Sequence, residues 1–171
     1  MEGLTDSQTR AWELLHGENS VFLTGEAGSG KSFLIKRLTA LQDPKSYPIL
    51  ASTGAAAVLI GGRTLHSFLG LGILEGGVDR AVAKAMSDKR VVRRVKKAKG
   101  LIIDEISMIS GQTLAAAERV CRLAKEEEIP WGGLKIIVVG DFAQLPPVER
   151  ARQGVPDWAF KSRTWVESEF N

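Results

Sequence analysis

The chain has 171 residues, with 23 basic and 20 acidic side chains and a net charge of +3. This length predicts one domain with its own hydrophobic core, and so small a charge does not by itself require a nucleic-acid partner. Cys121 is the single cysteine, which excludes an internal disulfide and fits a reducing compartment. The longest strand-like apolar run, 136–139, is far shorter than a membrane span, and the first residues lack the apolar segment of a secretion signal.

Hydrophobic runs and capping residues predict helices that alternate with strands in the first half of the chain. Thr5 is an N-cap residue, and Ala11, Leu14 and Leu15 give the helix after it one apolar face. The predicted elements are a helix from Thr5, a strand at 21–23, a glycine-rich loop, a helix to about Leu41, a strand at 49–51, a short alanine-rich helix at 54–60 and a turn from Thr64.

The second half continues the same alternation. Its predicted elements are a basic helical stretch at 78–99, a strand at 101–103, a helix with Leu114, Ala117, Cys121 and Ala124 on one face, a strand at 136–139, a strand at 158–160 and a helix at 162–170. Short, continuous apolar strands between helices are typical of a parallel sheet that is covered on both faces. The sequence therefore predicts an α/β fold.

Residues 25–32, GEAGSGKS, match the phosphate-loop pattern G-x-x-x-x-G-K-[ST] at every fixed position. Gly28 and Gly30 allow a close approach of the backbone to phosphates, and a helix N-terminus favours an anion. Lys31 would reach the β and γ phosphates, and the Ser32 hydroxyl would bind Mg²⁺. The flanking strand and helix favour this interpretation over a bare glycine-rich turn. The predicted ligands are a nucleoside triphosphate and Mg²⁺, held by Gly28, Ser29, Gly30, Lys31 and Ser32.

Asp104 and Glu105 directly follow the predicted strand 101–103. Ligands collect at the carboxyl ends of parallel strands, so this pair would lie near the phosphate loop. Asp104 would hold Mg²⁺ directly or through water, and Glu105 would orient or deprotonate the attacking water as a general base. The alternative is an acidic pair that only solvates the strand end, which the neighbouring phosphate loop disfavours.

Two glutamines each have a structural and a functional interpretation. Gln8 stands three residues after Thr5, and this spacing favours a capping box over recognition of adenine, although the two roles are compatible. Gln144 lies in GDFAQLPP after the strand at 136–139, where it could face the γ-phosphate and sense hydrolysis. A proline-terminated turn accounts for the same residues, so both interpretations of Gln144 stay open.

Polar and aromatic residues follow the second strand. Thr53, Gly54, His66 and Phe68 offer a hydroxyl, a backbone N–H at a helix start, an imidazole and an aromatic ring, which could contact single-stranded nucleic acid. In the simpler interpretation, Thr53 caps a helix and His66 is a satisfied polar residue. The eight cations within 84–99 favour a solvated helix face, with contact to a phosphate backbone as the alternative.

Taken in order, these segments resemble the PIF (petite integration frequency) family of superfamily-one DNA helicases, close to RecD-type enzymes. The resemblance covers residues 4–170 and rests on LTDSQ, GEAGSGKS, STGAAAVLIGGRTLHSFLG, LIIDEISM and VVGDFAQLPPV, with AAERVCRLAKEEEIPWGG between the last two. It implies a RecA-like P-loop NTPase, with a mostly parallel sheet and helices on both faces, as the first of two motor domains. It also implies ATP-driven movement 5′ to 3′ on single-stranded DNA, with separation of the duplex ahead.

The resemblance assigns roles to individual residues. Gln8 resembles the adenine-reading glutamine of the family, and Gln144 resembles the γ-phosphate sensor that links the nucleotide to the DNA. The implied catalytic residues are then Lys31, Glu105 and Gln144. The implied contacts to single-stranded DNA are Thr53, Gly54, His66, Ser67 and Phe68, with Pro147 and Val148 as further contacts.

In this family a second RecA-like domain supplies arginines to the transferring phosphoryl group, and the chain ends at Asn171 without them. Because such an arginine contributes several powers of ten to turnover, we expect these residues alone to bind ATP–Mg²⁺, hydrolyse it poorly and not unwind DNA. A nucleotide-gated DNA-binding or regulatory module is the alternative. A clamp-loader-like ATPase is disfavoured, because it would lack the segments STGAAA and GDFAQLPP that are present here.

The resemblance also predicts partners and location. The expected partners are single-stranded DNA, duplex or fork DNA and the second RecA-like domain of the parent protein, with no membrane and with a monomer favoured. The expected location is intracellular: cytoplasmic if the source is bacterial, and nuclear or mitochondrial if it is eukaryotic.

Overall fold

The structure is a computed structural model, and it describes residues 3–74, 76–144, 146–147 and 154–171. Within these ranges the strands form one sheet, in which every neighbouring pair is parallel and the order is β1-β5-β4-β2-β3. The strands are β1 (Val21–Leu23), β2 (Ile49–Ala51), β3 (Arg63–Thr64), β4 (Gly100–Asp104) and β5 (Lys135–Val139).

Helices connect these strands, as parallel crossovers require. The α-helices are α1 (Asp6–His16), α2 (Lys31–Thr39), α3 (Gly54–Leu59), α4 (Leu65–Leu69), α5 (Gly77–Ser87), α6 (Lys89–Lys97), α7 (Gly111–Lys125) and α8 (Arg163–Glu167). Short 3₁₀ helices occur at Ile106–Met108, Pro130–Gly133 and Ala159–Lys161.

The hydrophobic core lies on both faces of the sheet. On one face Ile102 and Ile137 pack against residues of α1 and α2, such as Leu15 and Leu34. On the other face, strand residues such as Ile103 pack against α4, α5, α6 and α7. Consecutive side chains of a strand point to opposite faces, so continuous apolar strands fill both layers. The predicted α/β fold with helices on both faces is confirmed.

The four strands predicted at 21–23, 49–51, 101–103 and 136–139 are confirmed, and β3 is an addition. The predicted strand at 158–160 is wrong. Ala159–Lys161 is a 3₁₀ turn, in which the Lys161 N–H donates to the Trp158 carbonyl at 3.1 Å. Trp158 makes an isolated antiparallel bridge to Ser110, and its ring joins an aromatic cluster. Aromatic packing therefore replaces strand pairing here.

The predicted helical stretch at 78–99 is two helices rather than one. Asp88 has extended backbone angles and its side chain accepts a hydrogen bond from the Arg90 N–H at 2.8 Å, so it ends α5 and caps α6. The final helix is also shorter than the predicted 162–170, since α8 spans Arg163–Glu167.

The sheet order brings the site loops to one edge. β5 lies between β1 and β4, with Leu23 beside Val139 and Ile103 beside Val138. The segments after these three strands therefore leave from the same carboxyl edge. Gly140, directly after β5, allows this segment to approach the segment after β4 closely, because a Cβ at position 140 would lie 3.0 Å from the Ile106 side chain.

Candidate functional site

The glycine-rich loop at 25–32 follows β1 and leads into α2. Gly28 and Gly30 have φ angles of 81° and 91°, which L side chains rarely adopt. A Cβ at Gly30 would also lie 2.6 Å from Gln8 Nε2. The two glycines therefore produce a turn of the kind that binds anions at the start of a helix.

Lys31 is the first residue of α2, and its ammonium lies over the loop. Its Nζ donates to the Gly25 carbonyl at 2.6 Å and to the Glu26 carbonyl at 2.9 Å. The side chain is half-buried. Its positive charge is thus held beside the loop by backbone oxygens, which phosphate oxygens can replace as acceptors.

Gln8 contacts both its own helix and the loop. Thr5 and Gln8 form a complete capping box, in which Gln8 Oε1 accepts from the Thr5 N–H at 3.1 Å. The remaining amide group of Gln8 donates to the Ser29 carbonyl at 3.1 Å. The capping interpretation is confirmed, and the same side chain is packed against the phosphate loop.

Ser32, Asp104 and Glu105 line one cavity of about 350 Å³ at the carboxyl edge. The pKa of Asp104 is raised, chiefly because the carboxyl group is buried and also because the Glu105 charge is near. The hydrogen bond from the Glu105 N–H at 2.9 Å and the positive charge of Lys31 act in the opposite direction and lower this pKa. A cation beside Asp104 would offset the cost of its burial. A hydroxyl and carboxylate oxygens are the ligands that Mg²⁺ prefers, so this donor set fits that ion.

Glu105 has an unusual backbone conformation. Its φ and ψ are 54° and 49°, in the left-handed region, which costs a non-glycine residue about 1–2 kcal/mol. Its carboxylate is exposed and accepts a hydrogen bond from Ser52 Oγ at 3.3 Å. Glu126 and Glu169 also have positive φ, so the functional assignment of Glu105 depends on its place at the carboxyl edge as well as on this conformation.

Gln144 is exposed on the loop after β5. Asp141 orders this loop, because its carboxylate accepts from the Ala143 N–H at 2.9 Å and from Gln144 Nε2 at 3.4 Å. The role of Gln144 as a phosphate sensor stays a prediction. Of the two further DNA contacts, Pro147 is buried and Val148 lies outside the described residues.

Thr53 and His66 lie close together. Both line a cavity of about 140 Å³. Thr53 caps α3 by accepting from the Ala56 N–H at 3.2 Å, so its capping role is confirmed. Gly54 is the exposed first residue of α3. The structure thus brings together these members of the predicted DNA-contact set, while their contact with DNA stays a prediction.

Ser67 and Phe68 belong to the short helix α4. Ser67 is exposed, and its hydroxyl lies 3.0 Å from Arg63 Nη2. The ring of Phe68 is only 6% exposed and has the Arg94 guanidinium 5.3 Å from its centroid. In this conformation the Phe68 ring packs α4 into the hydrophobic core and is not exposed for stacking on a base.

Three residues connect these segments, Ser52, Arg63 and Arg94, and sequence reasoning predicted this connecting role for none of them. Arg94 donates to the Phe68 carbonyl and, at 2.8 Å, to the Ser67 carbonyl. Ser52 precedes Thr53, so its position at a strand end was a usable signal. No short-range sequence pattern predicts that Arg94 contacts Phe68, because the two residues are 26 positions apart in the chain.

A parallel sheet with a phosphate loop after β1 and an acidic pair at the end of β4 defines a P-loop NTPase of the RecA-like class. A family model described as PIF1-like helicase matches residues 4–170. The chain therefore belongs to the PIF1-like helicase family.

Curated relatives have the same family name. The chain is 56% identical over 167 residues to the ATP-dependent DNA helicase Pif1 of Bdellovibrio bacteriovorus, which covers 98% of this chain and 38% of the relative. It is 41% identical over 162 residues to PIF1 of Danio rerio, covering 95% and 25% respectively. The chain thus spans well under half the length of these relatives.

Solved structures agree with the fold. Pif1 helicase from Candida albicans matches with a TM-score of 0.87 and 37% identity, over 98% of this chain and 38% of that one. Pif1 from Bacteroides in complex with ADP-AlF3 and ssDNA matches with a TM-score of 0.81 and 32% identity, over 98% and 40%. No helix in the described ranges is long and apolar enough to cross a membrane.

Proposed function

We propose that these 171 residues are the first of two RecA-like motor domains of an ATP-dependent DNA helicase that moves 5′ to 3′ on single-stranded DNA. The observation that carries this proposal is the hydrogen bond between Ser52 Oγ and Glu105 Oε2 at 3.3 Å. It joins the proposed catalytic carboxylate to the residue before Thr53, the first proposed DNA contact.

The nucleotide would be held by the loop and its neighbours. Lys31 supplies the positive charge for the phosphates, and the backbone at Gly28, Ser29 and Gly30 supplies N–H donors. The amide of Gln8, which donates to the Ser29 carbonyl, would contact the base.

Ser32 and Asp104 would hold Mg²⁺, which supplies charge neutralisation on the phosphates when it is bound. Glu105 would accept a proton from the attacking water or orient it, with its position fixed by the strained backbone and by Ser52. Gln144, which Asp141 restrains, would respond to the γ-phosphate from the end of β5.

The DNA side of the site would consist of Thr53, Gly54, His66 and Ser67, all at the carboxyl edge of β2 and β3 or just after it. Binding of a strand there would move Ser52 and, through its hydroxyl, the Glu105 carboxylate. Nucleotide turnover and DNA contact would thereby be linked within one domain.

The second motor domain and its arginine would belong to the remainder of the parent protein. Such an arginine raises turnover by about 10³–10⁵-fold, so these residues alone would hydrolyse ATP slowly. Fork or duplex DNA is the proposed substrate of the whole protein, which would act as a monomer inside the cell.

The test is DNA-stimulated phosphate release by the full-length parent protein. We expect single-stranded DNA to stimulate release, and Lys31→Ala to abolish both stimulation and nucleotide binding. Lys89→Ala, which removes an exposed lysine that lies outside both the cavity of Ser32 and the phosphate loop, is the control and should bind nucleotide normally. Nucleotide binding without any DNA-stimulated release in the full-length protein would instead support a regulatory module.

A further inference from the structure

A second cavity, of about 800 Å³, lies at the β3 edge of the sheet and shares Lys36, Thr39, Ile49 and Ile60 with the cavity of Ser32, Asp104 and Glu105. One wall is α6, which contributes Arg90, Arg93, Arg94 and Lys97. Lys36, Lys45 and Arg63 also line the cavity. Among the described lining residues there is no carboxylate. We name this cavity the basic groove.

The four cations of α6 lie on one side of that helix. Positions 90, 93, 94 and 97 follow the i, i+3, i+4, i+7 spacing that places residues on one helix face, and Val91 and Val95 anchor the opposite face in the core. At a rise of about 1.5 Å per residue, the cations extend along about 10 Å of helix.

Most of this charge is not neutralised within the groove. Arg90 pairs at 3.2 Å with Asp88, which does not line the groove. No hydrogen bond or ion pair to the side chains of Lys36, Arg93 or Lys97 occurs in the described part of the chain. Burial lowers the pKa of Arg94, and the neighbouring Arg63 charge lowers it further. Cations that repel one another across a groove favour an extended anion between them.

The floor of the groove is apolar, which narrows the choice of anion. Tyr47, Pro48, Ile49 and Ile60 line it between the basic walls. A duplex presents mainly phosphates to such a surface, whereas a single strand also presents the apolar faces of its bases. Only a ligand that has both charged and apolar parts would contact the basic walls and the apolar floor together.

One end of the groove is the proposed DNA-contact helix α4. Arg63 and Arg94 line the groove, and both donate to the Ser67 carbonyl. The other end lies near Lys97, three residues before β4 begins. The groove therefore runs from the carboxyl edge of the sheet, where DNA would bind, towards its amino edge. This continuity favours nucleic acid over an acidic peptide.

We propose that the basic groove is a second binding site for single-stranded nucleic acid, which continues the strand from α4 along the β3 edge with its phosphates on the basic walls and its bases over the apolar floor. This proposal rests on the proposed function, since it extends the same DNA path.

The test compares two oligothymidylates, of about 8 and about 24 nucleotides, on the full-length protein, because single-strand sites of this kind cover about 4–16 nucleotides. The test variant is Arg93→Ala/Lys97→Ala, whose side chains are exposed and make no ion pair that folding needs. The control variant is Lys84→Ala/Lys89→Ala, which removes equal charge from exposed lysines of α5 and α6 outside the groove lining.

For the long oligonucleotide, we expect the test variant to reduce the slope of log affinity against log salt by about 1.4, since each single-strand phosphate contact contributes about 0.7. The short oligonucleotide and the control variant should keep the wild-type slope. An unchanged slope for the long oligonucleotide, or an equal reduction for the short one, would overturn the groove proposal.

Two further outcomes separate the possible failures. If the short oligonucleotide does not bind the wild-type protein, the proposed function itself fails. If an acidic peptide of alternating glutamate and leucine binds the wild-type protein and loses affinity in the test variant, while the long oligonucleotide does not, the groove is a peptide site and the nucleic-acid proposal is wrong.

Discussion

The carboxyl edge and the basic groove use charge in opposite ways. At the carboxyl edge Lys31, Asp104 and Glu105 mix both signs, and each is fixed by short contacts to backbone or to Ser52. In the groove the charges have one sign, and among the described residues only Arg90 has an ion-pair partner. Fixed, mixed charges suit one small ligand in one geometry, whereas loose charges of one sign suit an extended polyanion in many registers.

The largest effect is expected from a substitution that changes only the carboxyl edge. Glu105→Gln removes the proposed general base and should lower DNA-stimulated turnover by about 10²–10⁴-fold, because a positioned base contributes that much. Phosphate release measures turnover, and a fluorescent nucleotide measures binding, which should persist. Glu127→Gln, an exposed carboxamide variant elsewhere, should be unaffected. Full turnover in Glu105→Gln would contradict the assigned base.

A smaller effect is expected from the backbone of the loop. Gly30→Ala introduces a Cβ at φ 91° and 2.6 Å from Gln8 Nε2. The left-handed conformation costs about 1–2 kcal/mol, which corresponds to about a five- to thirtyfold loss of nucleotide affinity if the loop gives way. Titration with nucleotide measures the loss. Gly154→Ala, where a Cβ meets no described residue within 4 Å, carries similar backbone strain away from the loop and should leave affinity intact.

Ser52→Ala tests the connection between the two regions. It removes one hydrogen bond to Glu105, worth about 0.5–1.5 kcal/mol, so the stimulation by DNA should fall by about two- to twelvefold while DNA affinity stays constant. Ser52→Thr keeps a hydroxyl and should retain part of the stimulation. An unchanged stimulation in Ser52→Ala would mean that the Ser52 contact does not transmit DNA binding.

The smallest effect concerns stability. Because burial raises the pKa of Asp104 above 3.8, the charged form destabilises the fold at neutral pH, and this penalty disappears as the pH falls through the raised pKa towards 3.8. Asp104→Asn should therefore resist urea better than wild type at pH 7, with the difference shrinking near pH 4. Asp141→Asn is the control. A lower urea midpoint for Asp104→Asn at neutral pH would contradict this reasoning.

Local patterns predicted the elements that short-range chemistry decides. The capping box of Thr5 and Gln8 needs only neighbours within one helical turn, and the four apolar strands are fixed by their own side chains. The failures arose where a local pattern had to compete with packing. Tryptophan is common in strands, so Trp158 favoured a strand prediction. Its ring centroid, however, lies 6.1 Å from that of Phe142 and 5.6 Å from that of Phe160, and this aromatic packing decides its conformation.

The sequence by itself determined the phosphate loop, the acidic pair and the family, because these depend on residue type at fixed spacing. Only the tertiary structure decided that Ser52 contacts Glu105, that the Phe68 ring is buried, and that cations from α2, β3 and α6 surround one groove. These contacts join residues far apart in the chain, and the strand order β1-β5-β4-β2-β3, which no local pattern encodes, brings them together.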